Sequence, residues 1–234
     1  MNEVRHMSET DSADEAIRLA FAAKKNQYRN DPHFRMSSAG PLTWLHQVPG
    51  WFEVDAFYAR DVPPAEVVAA VKACRPHPHH MISVRAGPTL PDGMTEEYAR
   101  LGYKELPEPP QPLMQLRLSG AAPAASACEI DRVETGEGIY RYVLNQAETA
   151  ISTAEVVWAD GETIYLFGMQ TRPGYRRRGL ATALLGHIHE DAHKSGAATS
   201  ILWSSPMGLP FYESLGYKAV VTGHGFIPSN SEAA

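Results

Sequence analysis

The chain has 234 residues, a formal net charge of −6 and only two cysteines. Hydrophobic residues make up 44% of it and charged residues 21%, the balance of an ordinary globular protein, and its length fits one large domain or two small ones. The acidic balance argues against nucleic acid as a partner, because binding to phosphate backbones needs a broad basic face.

Membrane insertion and disulfide bonding are also not expected. No apolar run reaches the roughly 20 residues that span a bilayer, and the N-terminal segment has no apolar signal region. We therefore predict a cytoplasmic protein with no membrane partner. Cys74 and Cys128 are too few for a disulfide framework and lack the paired spacing of a zinc site, so both are predicted to be reduced and structural.

The first half of the chain alternates helical and strand-like patterns. The predicted elements are a helix from Ser12, strands at 42–48 and 51–58, a helix at 64–74 and a strand at 81–84. Three histidines lie in the tract from Arg75 to His80, but its prolines exclude a helical pair of metal ligands. We interpret this tract as a solvated loop.

A seven-residue pattern occurs twice. Tyr98-x-x-Leu101-Gly102-Tyr103-Lys104 matches Tyr212-x-x-Leu215-Gly216-Tyr217-Lys218 in five of seven positions, and each copy can end a helix at its glycine. A strand is predicted at 113–118, after the first copy. The repeat predicts two related lobes, and the small-residue stretch between them is typical of a linker. The predicted boundaries are 1–118, 119–126 and 127–234.

The second lobe begins with several short elements. They are a strand at 128–133, a short helix at 140–147 and two strands, at 151–158 and 162–170. Asp160-Gly161 between the last two strands is a strong signal for a hairpin turn.

An arginine-rich turn then joins a strand pattern at 163–169 to a helical pattern. Arg172, Arg176, Arg177 and Arg178 place four cations within seven residues of an acidic chain. A helix that begins near Arg178 has backbone N–H groups without partners, and small residues at Gly179 and Ala181 let a ligand approach them closely. The stretch therefore predicts a binding site for a polyanion.

The spacing Arg176-x-x-Gly179-x-Ala181 resembles the acetyl-CoA loop of the GCN5-related N-acetyltransferases (GNAT), whose pattern is Gln/Arg-x-x-Gly-x-Gly/Ala. A strand at 199–203 and the helical pattern from Pro210 to Tyr217 follow in the family's order. The resemblance covers residues 150–222. It implies an α/β (α+β) fold of tandem GNAT-like lobes, each a mixed, mainly antiparallel sheet flanked by helices. The first lobe lacks the loop and is a degenerate copy, expected to shape the acceptor side.

The resemblance also implies an activity, a co-substrate and a set of site residues. The activity is N-acetyl transfer from acetyl-CoA to a small amine by direct attack in a ternary complex, with no metal; a homodimer is left open. In the family the pantetheine arm pairs with the strand before the loop, the loop binds the pyrophosphate, and a tyrosine protonates the leaving thiolate. The residues at these positions are Met169, Gln170 and Thr171, then Arg176, Arg177, Arg178, Gly179, Leu180, Ala181 and Thr182, and finally Tyr212. Ser205 is a further cofactor-binding candidate, although the family often has Asn there.

Several alternatives stay open. Tyr212 could be a packing residue like its counterpart Tyr98, and the general base is not identifiable, with Glu155, Asp160 and Glu162 near the relevant strands and solvent as the other proton acceptor. The chain could also be a binding module that senses acetyl-CoA or another nucleotide without turnover.

A zinc metalloprotease is the weakest alternative. His189-Glu190-x-x-His193 satisfies the zinc-ligand pattern H-E-x-x-H, and Glu213 could supply a third ligand. However, the pattern lies on the helix that begins at the arginine-rich turn, and both histidines flank that helix's apolar stripe. We therefore predict that the match is incidental.

Overall fold

The structure is a computed structural model that describes residues 9–39, 42–47, 54–60, 62–76, 78, 80–86, 89–107, 109–119 and 129–230. In chain order its elements are α1 (Glu9–Gln27), β1 (Phe34–Ala39), β2 (Leu42–Gln47), β3 (Val54–Arg60), α2 (Pro64–Ala73), β4 (His80–Ala86), α3 (Met94–Arg100), β5 (Tyr103–Glu105), β6 (Gln111–Arg117), β7 (Glu129–Gly136), β8 (Ile139–Gln146), β9 (Thr149–Trp158), β10 (Thr163–Thr171), α4 (Leu180–Lys194), β11 (Thr199–Trp203), α5 (Leu209–Ser214) and β12 (Lys218–Pro228). A 3₁₀ turn, Pro173–Tyr175, precedes α4.

The chain divides into two compact units. The first unit consists of Met1–Gln27 and Leu113–Val220, and the second unit consists of Tyr28–Pro112 and Val221–Ala234. These units differ from the predicted lobes 1–118 and 127–234 at both ends of the chain. Apart from Ser119, the predicted linker 119–126 lies outside the described residues, as does Cys128.

The first unit is a mixed sheet with the strand order β6-β11-β10-β9-β8-β7. β10 and β11 are parallel and joined through α4, whereas the other neighbours are antiparallel. Leu184, Leu185 and Ile188 recur at helical spacing, so α4 presents one apolar stripe to the sheet, where it packs against residues such as Val156 and Leu166. This packing fixes the start of α4 beside the end of β10.

The N-terminal helix belongs to the first unit because α1 packs against β9, β10 and β11. Its buried side chains are Ala16, Ile17, Leu19, Ala20 and Ala23. Near its end, the Asn26 side-chain amide donates a hydrogen bond to the Trp158 carbonyl at 2.9 Å. A sequence pattern reveals that a helix is amphipathic but not which sheet buries it, which is why the predicted lobes and the compact units differ here.

The second unit is a sheet with the strand order β1-β2-β3-β4-β12, and β5 also pairs with β12. β3 and β4 are parallel and joined through α2. Its core consists of Leu42, Val67, Val68, Val71, Ile82, Val84, Tyr98, Tyr103 and Phe226. Because Thr222 to Phe226 of β12 pair with β4, the end of the chain belongs to this unit.

Two further local predictions are corrected by the structure. Residues 140–147, predicted as a short helix, lie mainly in strand β8. Tyr142 and Leu144 are buried with half-exposed Val143 between them, which is the period of a strand rather than of a helix. His80 is not part of a solvated loop but begins β4, where its Nε2 lies 2.9 Å from the Tyr103 hydroxyl. His77 and His79 lie outside the described residues.

The hairpin, the composition of the sheets and the free Cys74 agree with the sequence-based expectations. The hairpin between β9 and β10 is present, and both units combine a mainly antiparallel sheet with flanking helices. Cys74 is a free cysteine. None of the helices in the described residues combines the length and apolar character needed to cross a membrane.

Candidate active site

The parallel strands β10 and β11 separate partway along their length. They pair at Thr163↔Thr199, Ile164↔Ser200 and Tyr165↔Ile201, and none of the described residues continues this pairing beyond Tyr165. On its other side β10 stays paired with β9 as far as Thr171↔Ser152. The backbone edge of β10 from residue 166 to 171 therefore faces an opening rather than a neighbouring strand.

A β-bulge accompanies the separation. Phe167 pairs with Glu155 and Gln170 pairs with Thr153, so β10 has one more residue than β9 between these two positions. Gly168, inside the bulge, has φ +62°, a left-handed conformation that glycine adopts without strain. Bulges bend the strand that carries the extra residue. The bulge therefore lies just beyond the point where pairing of β10 with β11 ends.

The opening is a cleft of about 1080 Å³ between β10, the arginine-rich turn and the segment around α5. All of the predicted site residues except Arg178 line it: Met169, Gln170, Thr171, Arg176, Arg177, Gly179, Leu180, Ala181, Thr182, Ser205 and Tyr212. The structure thus brings residues from the strand, the turn and two helices to one place.

Two of the four arginines stabilise the turn itself. The Arg178 guanidinium donates a hydrogen bond from Nη2 to the Gly174 carbonyl at 3.0 Å and lies over the Tyr175 ring. Arg176 donates from Nε to the Thr171 carbonyl at 3.0 Å. Arg178 therefore stabilises the turn and does not line the cleft.

The other two arginines are free to meet an anion. Arg172 and Arg177 line the cleft, and their guanidinium groups make no hydrogen bond or ion pair to any residue that the structure describes. Arg177 has φ +60°, a conformation that costs energy for a residue with a side chain. The turn holds this strained arginine at the mouth of the cleft.

Helix α4 begins at Leu180 rather than near Arg178. Its N-cap is Gly179, with φ +74°, which has no side chain to cap the helix, and the first turn contains no acidic residue. The first backbone N–H groups of a helix have no partner within the helix and carry partial positive charge. They are therefore available to an anion in the cleft.

Tyr212 lies on α5 and is 8% exposed. Its ring contacts the rings of Phe211 and Tyr217, with centroids 5.1 Å and 5.6 Å away. Burial raises the pKa of Tyr212 above its ordinary value, so the phenol stays protonated at neutral pH. Its hydroxyl forms no hydrogen bond with the described residues and can donate to a ligand in the cleft.

Small residues precede α5 and allow Tyr212 to pack closely. A Cβ atom at Gly208 would lie 3.1 Å from the Tyr212 ring and 3.3 Å from the Ser205 hydroxyl, both tight contacts. The Ser205 hydroxyl accepts a hydrogen bond from the Gly208 N–H at 3.2 Å. Ser205 thus shapes the turn that leads into α5, in addition to lining the cleft.

None of the Asp and Glu residues in the described part of the chain lines the cleft. Glu155 forms an ion pair with Arg141, with 3.9 Å between Oε1 and Nε. Asp160 and Glu162 lie at the hairpin that precedes β10, and the cleft lies at the other end of that strand. At about 3.3 Å per residue, the nine residues of β10 separate them from the arginine-rich turn by about 30 Å.

The H-E-x-x-H residues have structural partners. His189 Nε2 lies 2.8 Å from the Tyr217 hydroxyl, which lies 2.7 Å from the Ser200 hydroxyl, and burial lowers the pKa of His189 to about 4. Glu190 binds Lys194. In the residues that the structure describes, no group of three or more His, Cys, Asp or Glu side chains is placed to hold a metal. The geometry gives the metalloprotease alternative no support.

Sequence reasoning missed several cleft residues. Ser152 on β9 is 1% exposed; its hydroxyl donates to the Gln170 carbonyl at 3.0 Å and lies 2.9 Å from the Thr171 hydroxyl. It fixes the end of β10, and a serine within the apolar pattern of β9 was the available signal. Arg141, from the segment mistaken for a helix, and the apolar Trp203, Met207 and Phe211 also line the cleft.

Comparisons with known sequences identify the part of the chain that holds this cleft. Residues 159–220 match the family described as "Acetyltransferase (GNAT) domain". The [Ribosomal protein bS18]-alanine N-acetyltransferase of Escherichia coli (strain K12) is 35% identical over an alignment of 69 residues that covers 27% of this chain and 45% of that protein. The chain therefore spans less than half the length of this curated relative.

Solved structures resemble the whole fold. A GCN5-related N-acetyltransferase from Kribbella flavida aligns with a TM-score of 0.64 and 20% identity, over 92% of this chain and 96% of that one. A tandem GNAT protein from the clavulanic acid biosynthesis pathway aligns with a TM-score of 0.60 and 11% identity, over 97% of this chain and 98% of that one. The predicted tandem fold is confirmed.

Proposed function

We propose that the chain belongs to the superfamily of GCN5-related N-acetyltransferases and that its first unit transfers the acetyl group of acetyl-CoA to an amine. One observation carries the proposal. A parallel strand pair opens beside an uncapped helix start, and the opening holds free arginines and a buried tyrosine in a single cleft.

Two parts of acetyl-CoA have matching surfaces in the cleft. The free backbone edge of β10 around Met169 and Gln170 suits the amide groups of a pantetheine arm, since both are strand-like hydrogen-bonding chains. The unpartnered N–H groups at the start of α4, with Arg172 and Arg177, suit a pyrophosphate. Acetyl-CoA would then lie with its phosphates at the turn and its thioester toward Tyr212.

The reaction is a direct transfer. The lone pair of a neutral amine attacks the thioester carbonyl, a C–N bond forms, and the C–S bond breaks to release CoA as a thiolate. The thiolate gains one proton from solvent water and the new amide nitrogen loses one. Because no described carboxylate lines the cleft, we propose that solvent water receives the proton from nitrogen.

Tyr212 interacts with the departing sulfur in this proposal. A free thiol has a pKa near 8.5, and burial raises the pKa of the Tyr212 phenol above 10. Full proton transfer from the phenol to the thiolate is therefore uphill. A hydrogen bond from the phenol to the developing thiolate requires no such unfavourable proton transfer, and it strengthens as charge accumulates on sulfur. We propose that Tyr212 acts mainly as this hydrogen-bond donor.

Titration calorimetry with acetyl-CoA tests the proposed binding site. Ala181→Glu adds a carboxylate in the first turn of α4, which the helix tolerates but which repels a phosphate group. Repulsion between like charges at an interface costs several kcal/mol, so affinity should fall by about a hundredfold or more. Ala65→Glu, in the first turn of α2, is the matched control and should leave binding unchanged.

The outcomes separate the remaining alternatives. Equal binding by wild type and Ala181→Glu would remove the cleft from consideration as the acetyl-CoA site. Binding with no acetyl transfer to any amine would favour the alternative of a non-catalytic binding module.

A further inference from the structure

Arg141 lines the cleft but has no role in the proposed binding of acetyl-CoA. On β8 it pairs with Glu155 of β9, which pairs with Phe167 of β10, so the three residues form one row across the sheet. Their strand neighbours Val156 and Leu166 pack against α4. Because side chains alternate along a strand, the Arg141 row faces away from α4.

This row is also remote from the arginine-rich turn. Phe167 precedes Thr171 by four residues, which is about 13 Å of strand. A guanidinium at the Arg141 row is therefore badly placed for the pyrophosphate site at the start of α4. It lies along the cleft in the direction of the thioester and of the amine that attacks it.

The charge of Arg141 is incompletely neutralised. Its ion pair with Glu155 has 3.9 Å between Nε and Oε1, longer than a hydrogen bond, and the two side chains are 51% and 30% exposed. Arg141 makes no hydrogen bond to a residue that the structure describes, so its planar fork of N–H donors is free for a carboxylate.

The cleft as a whole selects against cationic acceptors. Its lining includes Arg141, Arg172, Arg176 and Arg177 and no described acidic residue. A polyamine or an aminoglycoside would bring further ammonium groups, and Glu155, the carboxylate of the Arg141 row, is already in an ion pair with Arg141. An amine that also carries a carboxylate is favoured, and a nearby cation shifts the amine toward the neutral form that attacks the thioester.

The same cleft contains apolar side chains. Phe167, Trp203, Met207 and Phe211 line it, and Met207 is 82% exposed, unusual for so large an apolar residue. These side chains provide contact area for an apolar substituent of the acceptor.

We propose that the acceptor is a free amino acid with an apolar side chain and that Arg141 binds its carboxylate. The proposal rests on the acetyl transfer inferred above and adds the acceptor class to it.

A panel of amines tests the acceptor class. Leucine, methionine and phenylalanine are each supplied as the acid, the amide and the decarboxylated amine, with spermidine, kanamycin and a peptide amide that begins with alanine for comparison. The acids should give kcat/KM values at least about tenfold above those of the amides. Amine reactivity alone predicts the opposite order, since the amide's amine loses its proton more readily.

Variants of Arg141 assign the preference to this residue. Arg141→Gln should reduce kcat/KM for the acids to the level of the amides, with acetyl-CoA affinity unchanged, and Arg141→Lys should restore part of the loss. Arg132→Gln is the matched control, because Arg132 is also a half-exposed strand arginine in an ion pair, with Asp191, but does not line the cleft. It should behave as wild type.

The two proposals fail in different ways. If wild type does not bind acetyl-CoA in calorimetry, the proposed function is wrong. If it binds acetyl-CoA, the acceptor proposal alone is wrong in any of three cases: no acid is acetylated, spermidine, kanamycin or the peptide amide is the best acceptor, or Arg141→Gln keeps the preference for acids.

Discussion

Both units contain a parallel strand pair joined through a helix, but only one pair opens. In the second unit β3 and β4 stay in register from Asp55↔His80 to Arg60↔Arg85. In the first unit pairing of β10 with β11 ends at Tyr165↔Ile201, and the bulge at Gly168 bends β10 away. A βαβ unit alone therefore does not open a cleft. In this chain the cleft lies where the strand pairing is locally interrupted.

The N-terminal ends of α2 and α4 also differ in their capacity to bind an anion. α2 follows Pro63 and begins with Pro64, which has no N–H group, and Glu66 adds negative charge to its first turn. α4 begins after Gly179 with free N–H groups and no acid. A phosphate would therefore be repelled from one helix start and attracted to the other.

The repeated seven-residue pattern adds a third difference. In both copies the glycine is left-handed, with φ +88° at Gly102 and +89° at Gly216, and the second tyrosine bonds a histidine. However, Tyr98 is 1% exposed and stacks on Phe226 at 4.2 Å, whereas Tyr212 faces the cleft. One motif therefore serves core packing in the second unit and is free to serve chemistry in the first.

The largest expected difference between the two copies is in turnover. Tyr212→Phe keeps the ring but removes the donor to the departing sulfur, so kcat should fall by about a hundredfold with little change in acetyl-CoA affinity. Tyr98→Phe should leave kcat nearly unchanged. The measurement is the rate of CoA release at saturating acetyl-CoA and amine. Equal rates for wild type and Tyr212→Phe would make Tyr212 a packing residue like Tyr98.

A smaller effect is expected on stability at acid pH. Burial lowers the pKa of His189 to about 4, below the ordinary value of 6.5. As the pH decreases below 6.5, the imidazole is protonated in the unfolded chain, but in the folded chain it stays neutral until about pH 4. The free energy of unfolding should therefore decrease by up to about 1.4 kcal/mol for each unit by which the pH falls from 6.5 to 4. In urea unfolding, the free energy of unfolding of His189→Gln should depend less steeply on pH between 4 and 6.5 than that of wild type.

The second unit offers the control for that experiment. His80→Gln removes the corresponding bond to Tyr103 and measures the effect of losing a His–Tyr hydrogen bond. An unaltered pH slope in His189→Gln would show that the buried imidazole does not govern acid stability.

Much of the first unit's site was predictable from sequence because its signals are local. The strand before the turn, the helix after it and the small residues between them are adjacent in the chain, and periodicity identifies such elements. The assignment of β8 as a helix failed because Tyr140, Leu144 and Ala147 also fit a helical spacing over so short a stretch. Its pairing with β7 and β9 shows that the segment is a strand.

Contacts between distant parts of the chain were out of reach. Nothing within α1 indicates that it packs on β9 to β11, and nothing within β12 indicates that it pairs with β4. The bulge at Gly168 and the internal bond of Arg178 to Gly174 likewise depend on the folded backbone. The sequence indicated four arginines that could bind an anion. Only the structure shows that two of them hydrogen-bond within the turn and that two have free guanidinium groups.

The central claim is that acetyl-CoA binds where β10 leaves β11 and nowhere on the corresponding pair in the second unit. Amide hydrogen exchange followed by mass spectrometry, with and without saturating acetyl-CoA, tests it directly. Protection should increase in residues 166–182, which form the free edge of β10, the arginine-rich turn and the start of α4, and stay unchanged in β3 and α2. Protection of β3 and α2, or none in residues 166–182, would contradict the account.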